Sequence, residues 1–308
     1  MNDENRLIWF KGKILPANEA LVSVLSPTAQ FGLNVFEGIR GYWNNDYKEL
    51  YLFRLEEHIK RLHASCRLIG LACPYNDDEI KNAIISVLHE NNYKCDIALR
   101  INIFVDGEGT WSDSKPVEMF IAPIDKPRSS IESAKGVKAN ISSWERINDR
   151  SLPPRVKAGA NYINGRYAHL ESIEAGYDLP IFLDSRGKVS EGAGSCIMMV
   201  RNGKLITPPV TASILESITR ETLLILASEL GLLTEVRTID RTELYLADEL
   251  FLCGSAAEVT PIIKLDRFSV GLGKIGELTQ ILMHNYHQIA DGSKKNNNNW
   301  LTSVWNDK

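Results

Sequence analysis

Apolar residues recur at helical spacing in three stretches of the chain: 55–71, a stretch opened by Asp77-Asp78-Glu79, and 217–230. Such spacing puts the apolar side chains on one face, so each stretch is predicted to be an amphipathic helix. The acidic residues suit the start of the second helix. Gly231 directly follows the third, and a glycine at that position commonly ends a helix.

Short apolar or alternating runs predict the strands. Strands are expected at 7–10, 13–15, 97–105 and 119–122, and hairpins at 181–189 and 198–206. The pair Asn202-Gly203 lies inside the second hairpin and is a strong signal for a two-residue turn. Helices and strands together indicate an α+β protein.

One segment, 124–136, is polar, contains Pro, Ser and Gly, and shows no periodicity. These properties are typical of a linker. The sequence therefore predicts two domains, with a small N-terminal domain over 1–123 and a larger C-terminal domain over 137–308.

The composition favours a globular protein without a nucleic-acid or membrane partner. A net charge of -4 supplies no basic surface for nucleic acid, and no apolar run approaches the ~18 residues of a membrane helix. The five cysteines are dispersed without metal-ligand spacing, which is typical of a reducing compartment. His284 and His287 are three residues apart but lack a third ligand nearby, so no metal site is expected. We expect a cytoplasmic protein.

A glycine-rich run, Gly271-Leu-Gly-Lys-Ile-Gly276, matches the dinucleotide-binding pattern and leaves a nucleotide-binding oxidoreductase as a remote alternative. That pattern requires a βαβ unit with an acidic residue about twenty positions further on. The 32 residues that follow are predicted to form one helix and a tail. A turn leading into the last helix is therefore the preferred interpretation.

Lys157 lies among small and apolar residues, and about thirty residues later Glu191 lies in a glycine-rich run. Desolvation of a lysine frees its amine to attack an aldehyde. A carboxylate held against a ring nitrogen is the second group that pyridoxal phosphate chemistry needs from a protein. Taken alone, this pair favours an ordinary surface lysine, because most lysines are solvated surface groups.

Two other segments have two interpretations each. Ser217 is a candidate N-cap, and the amides of Ile218 and Thr219 at that helix start suit a phosphate, although capping alone requires no ligand. Ser255 follows a predicted strand, where small residues allow either a bound ligand or a tight turn.

Seven motifs in one order resemble the class IV (fold type IV) pyridoxal phosphate aminotransferases, most nearly the branched-chain amino acid aminotransferases. The resemblance covers nearly the whole chain. The motifs are Phe36-Glu-Gly-Ile-Arg40, His58-Ile-Lys-Arg-Leu62, Lys157-Ala-Gly-Ala-Asn-Tyr162, Ser190-Glu-Gly-Ala-Gly194, Ile218-Thr-Arg220, Tyr245-Leu-Ala-Asp-Glu249 and Gly254-Ser-Ala-Ala-Glu258. The resemblance implies a small N-terminal α/β domain, a larger C-terminal pseudo-barrel domain and a homodimer.

The resemblance also implies a role for individual residues. Lys157 would form the aldimine with pyridoxal 5'-phosphate and act as general acid–base, Glu191 would pair with the pyridine nitrogen, and Tyr162 would bind the phenolate oxygen. The implied phosphate-binding residues are Arg61, Ser217, Ile218, Thr219 and Ser255. The implied substrate-binding residues are Phe31, Phe36, Gly38, Arg40, Ala98, Arg100, Ser255, Ala256 and Ala257. The implied reaction moves an amino group between an amino acid and a 2-oxo acid.

The chain departs from the branched-chain enzymes at the substrate-binding positions. Those enzymes usually carry tyrosine where this chain has Phe31 and Ala98, and a third tyrosine has no counterpart in 124–136. Loss of a buried hydroxyl typically costs about 1–3 kcal/mol, so an altered substrate pocket is expected. A D-amino acid transaminase, an amine transaminase or an aminodeoxychorismate lyase, which share the fold and the lysine, remain alternatives.

Overall fold

A computed structural model of the chain describes residues 6–130, 134–296 and 298–306. The chain forms two units. The first contains the described residues of Met1–Arg128, Val156–Ala160 and Gln288–Lys308, and the second those of Ser129–Arg155 and Asn161–His287. Part of the predicted linker, 131–133, lies outside the described residues, and the predicted domain boundaries stay a prediction.

The first unit is built on a seven-stranded antiparallel sheet. Its strands are β1 (Leu7–Phe10), β2 (Lys13–Pro16), β3 (Asn34–Asn44), β4 (Glu49–Phe53), β5 (Ile97–Val105), β6 (Val117–Asp125) and β16 (Leu301–Ser303), and its helices are α1 (Pro27–Phe31), α2 (Leu55–Leu68) and α3 (Asp77–Asn91). The strand order is β16-β4-β3-β5-β6-β1-β2. A capping box between Asn76 and Glu79 starts α3, so local hydrogen bonds fix where that helix begins.

Side chains of β3 alternate between two surroundings, as strand geometry requires. Val35 and Ile39 are fully buried in the apolar core that also contains α2 and α3. Phe36, Gly38 and Arg40 lie on the opposite face of the sheet. That second face carries several residues predicted to bind substrate.

The second unit is built on a nine-stranded sheet. Its strands are β7 (Val137–Glu145), β8 (Leu179–Leu183), β9 (Val189–Gly192), β10 (Cys196–Arg201), β11 (Lys204–Thr207), β12 (Leu233–Val236), β13 (Glu249–Gly254), β14 (Glu258–Leu265) and β15 (Phe268–Ser269). The helices that begin in this unit are α4 (Tyr162–Glu174), α5 (Ile218–Glu229), α6 (Arg241–Leu244) and α7 (Glu277–Ala290).

Six of these strands close into a ring in the order β10-β13-β14-β7-β8-β9. The ring closes where Cys196 of β10 pairs with Glu191 of β9. β7 and β8 are parallel and are joined through α4, the crossover connection that parallel neighbours need. This closed arrangement is the pseudo-barrel that the family resemblance implied.

The predicted helices and strands are confirmed, with small shifts at their ends. Helix α2 ends at Leu68, before Gly70, whose φ is +74°. Strand β6 continues to Asp125, so Ile124 and Asp125 are strand residues although the sequence placed them in the linker. They pair with Ala98 and Ile97 of β5, a long-range contact that the polar composition of 124–136 does not reveal.

The glycine-rich run 271–276 is a turn before α7 and no part of a βαβ unit. A Cβ at Gly276 would lie 1.9 Å from a side-chain carbon of Glu249. The carboxylate of Glu249 accepts the backbone N–H groups of Leu278 and Thr279 at 3.0 and 2.7 Å. Gly276 therefore makes room for the side chain that caps α7. This packing explains the glycine without the nucleotide-binding alternative.

The sequence predicted neither a metal site nor a membrane helix. Across the described ranges, no three His, Cys, Asp or Glu side chains are placed to hold a metal ion. None of the helices in these ranges is long and apolar enough to cross a membrane.

Candidate active site

Lys157 lies in a short segment that packs against the start of β3. Its carbonyl oxygen accepts the backbone N–H of Phe36 at 3.0 Å, and its own N–H donates to Ser65 Oγ at 3.1 Å. The Nζ atom lies 4.9 Å from the centroid of the Phe36 ring. A Cβ at Gly159 would lie 2.7 Å from Asn34 Oδ1, so a glycine is needed for this close approach. The backbone of the lysine is thus fixed from both sides.

Arg61, a predicted phosphate-binding residue, is held by hydrogen bonds to the buried carboxylate of Glu37. Its Nε and Nη2 donate to Glu37 at 2.7 and 2.8 Å, and His58 Nδ1 lies 2.7 Å from the same carboxylate. Burial opposes ionisation of Glu37, but the charges and hydrogen bonds of Arg61 and His58 outweigh it and hold its pKa well below the ordinary value. Burial lowers the pKa of His58, a shift that Glu37 opposes without reversing it.

The predicted substrate-binding residues of β3 and β5 lie next to one another. Gly38 is in register with Arg100, and Arg40 with Ala98. The Arg100 guanidinium lies 4.3 Å from the centroid of the Phe36 ring. Apart from Gly38 and its chain neighbours, no atom of the described residues lies within 4 Å of where a Cβ would stand at Gly38, so there is open space at this position beside a cation.

Phe31 lies apart from that group, at the end of α1, with 48 % of its surface exposed. The structure therefore brings Phe36, Gly38, Arg40, Ala98 and Arg100 together and leaves Phe31 on the surface of the first unit. An exposed aromatic side chain has little to bind within this unit.

In the second unit, Glu191 of β9 is buried against an arginine that the sequence did not indicate. Oε1 of Glu191 accepts Nε and Nη2 of Arg146 at 2.9 and 2.7 Å, and Oε2 accepts the N–H of Leu215 at 3.2 Å. A buried carboxylate stays ionised only when such partners compensate its lost hydration. An ionised carboxylate is the form that accepts a hydrogen bond from a protonated ring nitrogen.

Tyr162 lies beside the turn that follows Glu191. Its ring comes within 3.7 Å of where a Cβ would stand at Gly194. Gly165, one turn further along α4, packs so closely on Ala193 that a Cβ there would lie 2.6 Å from its carbonyl oxygen. Contact between α4 and this turn therefore places Tyr162 next to the loop that follows Glu191.

The start of α5 has the predicted cap. Ser217 accepts the N–H of Arg220 at 3.2 Å, while Ile218 and Thr219 are buried as the first helical residues. Helix N-termini favour anions through the helix dipole and their N–H groups. Ser255, Ala256 and Ala257 form the turn between β13 and β14.

Sequence reasoning missed Arg146 and Glu37. Arg146 directly follows a strand and resembles a surface arginine in sequence. Glu37 did leave a signal, because it stands between Val35 and Ile39 on the apolar face of β3, where a charge requires a partner. The donors of each unit fit groups of pyridoxal phosphate. In the first unit a lysine suits its aldehyde and an arginine suits its phosphate, and in the second a carboxylate suits its ring nitrogen and a helix N-terminus suits its phosphate.

The model of the class IV aminotransferase family matches residues 34–265 of the chain. A probable branched-chain-amino-acid aminotransferase of Aquifex aeolicus is 36 % identical over 96 % of both chains. The crystal structure of a branched-chain amino acid aminotransferase from Thermobaculum terrenum, in its pyridoxal phosphate form, is 44 % identical and superposes with a TM-score of 0.92 over 98 % of this chain and 99 % of that one.

The crystal structure of a branched-chain aminotransferase from the archaeon Thermoproteus uzoniensis, with norvaline, is 38 % identical with a TM-score of 0.91 over 97 % of this chain and 99 % of that chain. The family match includes the segments that carry Lys157 and Glu191. These similarities extend over almost the full length of each protein. The chain therefore belongs to the class IV aminotransferases, a pyridoxal-phosphate-dependent family with the two-domain α+β fold described above.

Proposed function

We propose that this protein moves an amino group from an amino acid to a 2-oxo acid, with Lys157 as the catalytic residue and Glu191 as the partner of the cofactor's ring nitrogen. The observation that carries the proposal is the buried Glu191 carboxylate, held by two N–H groups of Arg146. Such an anion favours the protonated pyridine ring. When bound, pyridoxal phosphate supplies the electron sink that stabilises the substrate carbanion.

The remaining roles follow the resemblance to the class IV aminotransferases. The Nζ of Lys157 takes the α-proton of the substrate as a general base. Tyr162 orients the ring through its hydroxyl. Arg61, whose direction Glu37 fixes, binds the phosphate, and the α5 residues Ser217, Ile218 and Thr219, with the Ser255 hydroxyl, complete that set.

We infer a substrate pocket that is related to that of the branched-chain enzymes but roomier and less rich in hydroxyls. Ala98 has a small side chain in register with Arg40, where the resemblance predicts a tyrosine. Gly38 has open space beside it, and Arg100 remains as a cation. These features favour an amino acid with a larger or more polar side chain, bound with its α-carboxylate at the amides of Ser255 and Ala256 and with Ala257 beside it.

A homodimer in the cytoplasm is the assembly and location that we propose. The support for the homodimer is an exposed apolar face on α4. Its residues Ile163, Tyr167, Leu170 and Ile173 are each 44–53 % exposed. An apolar helix face of this kind commonly marks a protein interface. Sedimentation of the purified protein at several concentrations measures the assembly, and a monomer at all of them contradicts it.

The proposed function is tested with purified protein reconstituted with pyridoxal phosphate. Amino groups from a panel of L-amino acids, D-amino acids and simple amines are offered with several 2-oxo acids, and the new amino acid is measured by chromatography. We expect transfer from L-amino acids, including donors larger than leucine. Transfer only from D-amino acids or only from amines contradicts the proposal, as does protein that takes up no cofactor.

A further inference from the structure

Glu258 occupies a backbone position that glycine ordinarily fills. It closes the three-residue turn 255–257 opposite Gly254, and its φ is +51°. A left-handed backbone conformation costs free energy in a residue with a side chain, and glycine avoids that cost. The glutamate side chain must therefore contribute something that glycine lacks.

That contribution is a set of buried hydrogen bonds. Glu258 is only 2 % exposed. Its Oε2 accepts both the backbone N–H and the hydroxyl of Ser129, at 2.7 and 2.6 Å, and lies 3.6 Å from Nε2 of His287 in α7. The carboxylate thus joins the end of the turn to two segments that are remote in sequence.

The turn is held at other points as well. Thr260 donates its hydroxyl to the carbonyl oxygen of Ala257 at 2.8 Å. A Cβ at Gly254 would lie 3.7 Å from Ser195, so the start of the turn packs on the loop after Glu191. With both ends fixed, the N–H groups of Ser255 and Ala256 have defined directions.

We propose that Glu258 is a positioning residue for recognition of the substrate's α-carboxylate. It touches neither substrate nor cofactor and acts by orienting the N–H groups of Ser255 and Ala256. The inference rests on the proposed function, in which those two amides receive the carboxylate. Hydrogen bonds to a charged group depend steeply on direction, so a loosened turn weakens carboxylate binding before it changes the chemistry.

Glu258→Gly is the most informative variant, because glycine suits the left-handed backbone and removes only the anchor. In cofactor-loaded protein we expect the KM of the amino acid donor, and the Kd of the unreactive carboxylic acid with the same carbon skeleton, to rise roughly tenfold. We expect kcat to change much less. In cofactor-free protein, amide hydrogen exchange at residues 255–257 should become faster.

Two further variants and one control keep the inference falsifiable if Glu258→Gly folds poorly. Ser129→Ala removes one of the two donors and should shift KM in the same direction by a smaller factor. Glu258→Gln keeps the shape and one acceptor oxygen and should lie between wild type and Glu258→Gly. Glu57→Gln, which alters a carboxylate paired with Arg54, is the control and should change neither KM nor exchange.

A purely structural role would give faster exchange at 255–257 with unchanged KM and unchanged Kd for the carboxylic acid, and that result overturns the inference. Unchanged exchange in Glu258→Gly overturns it too. Wild-type protein that binds no pyridoxal phosphate contradicts the proposed function itself, and this failure is visible before any variant is made.

Discussion

Two N–H groups of Arg146 converge on one carboxylate oxygen of Glu191, Nε at 2.9 Å and Nη2 at 2.7 Å. The second oxygen of Glu191 accepts the backbone N–H of Leu215. The carboxylate is therefore paired with a cation and fixed in direction by the protein alone. Arg146 therefore supports the position of this glutamate, although no motif indicates it.

Arg146→Met is predicted to lower both stability and cofactor affinity. The change leaves a buried carboxylate without its cation, and breaking a buried pair typically costs about 3–5 kcal/mol. Glu191 then loses the cation that compensates its burial and the hydrogen bonds that fix its direction, so the Kd for pyridoxal phosphate should rise at least tenfold. Urea unfolding and cofactor titration measure the two effects. Arg155→Met, at a largely exposed pair with Asp149, is the control, and an equal loss in both variants contradicts the prediction.

Lys157→Ala is predicted to reduce turnover by several orders of magnitude and to leave the fold intact. The change removes the only amine assigned to both cofactor attachment and proton transfer. The backbone contacts of residue 157 with Phe36 and Ser65 do not use the side chain, so thermal unfolding should change little. Borohydride reduction followed by peptide mapping should label residue 157 in wild type and nothing in the variant; a label at another lysine would show that the assignment is wrong.

Glu37→Gln is predicted to lower stability near neutral pH by about 3 kcal/mol, because it breaks the buried pair with Arg61. The folded pKa of Glu37 is depressed from 4.5. Its contribution is thus fully present above about pH 4.5 and is lost as the pH falls toward the folded pKa. Urea unfolding from about pH 7 to about pH 3 should show the difference between wild type and variant shrinking in acid. A difference that grows in acid contradicts this sign.

The same variant should bind pyridoxal phosphate more weakly, because Arg61 loses the carboxylate that fixes its direction. Glu57→Gln is the matched control. Glu57 is one-third exposed in its pair with Arg54, and such pairs contribute about 0–1 kcal/mol. Equal effects of the two substitutions would mean that the burial of Glu37 is of no consequence.

Ala98→Tyr is predicted to narrow substrate choice. A tyrosine on β5 in register with Arg40 fills the space that we assign to large donor side chains. We expect kcat/KM for donors larger than leucine to fall about 10–100-fold, and that for valine to change little. Ala98→Gly, which adds no volume, should keep the large donors. If Ala98→Tyr treats small and large donors alike, the pocket lies elsewhere.

The sequence was sufficient to predict α2, α3, α5, α7 and several strands, because those signals are local, but it did not predict α4 or β3. The capping residues Asn76 and Ser217 and the turn residues Asn202 and Gly203 act on their immediate neighbours. Strand order is different. Strand β10 pairs with β13 along one edge and with both β9 and β11 along the other, and no local pattern encodes which of three apolar strands comes next.

The site residues also divide into those with a local sequence signal and those that act through long-range contacts. Lys157, Glu191 and Tyr162 stand in recognisable motifs, whereas Arg146 contributes through a contact 45 residues away in sequence. In the sequence, Glu258 was noted only as the last residue of the motif Gly254-Ser-Ala-Ala-Glu258. Its role depends on a left-handed φ and on a buried contact with Ser129. Glutamate is usually exposed, so no sequence pattern predicts either feature.

The closure of the strand ring at Glu191 has a consequence for how the protein is made. Glu191 pairs with Cys196 only where β9 meets β10, and the ring also needs β13 and β14, which end at Leu265. Pairings between strands so distant in sequence form slowly. A nascent chain therefore lacks the finished surroundings of this carboxylate until most of it has been synthesised. The position of this carboxylate therefore depends on strands that are synthesised well after it.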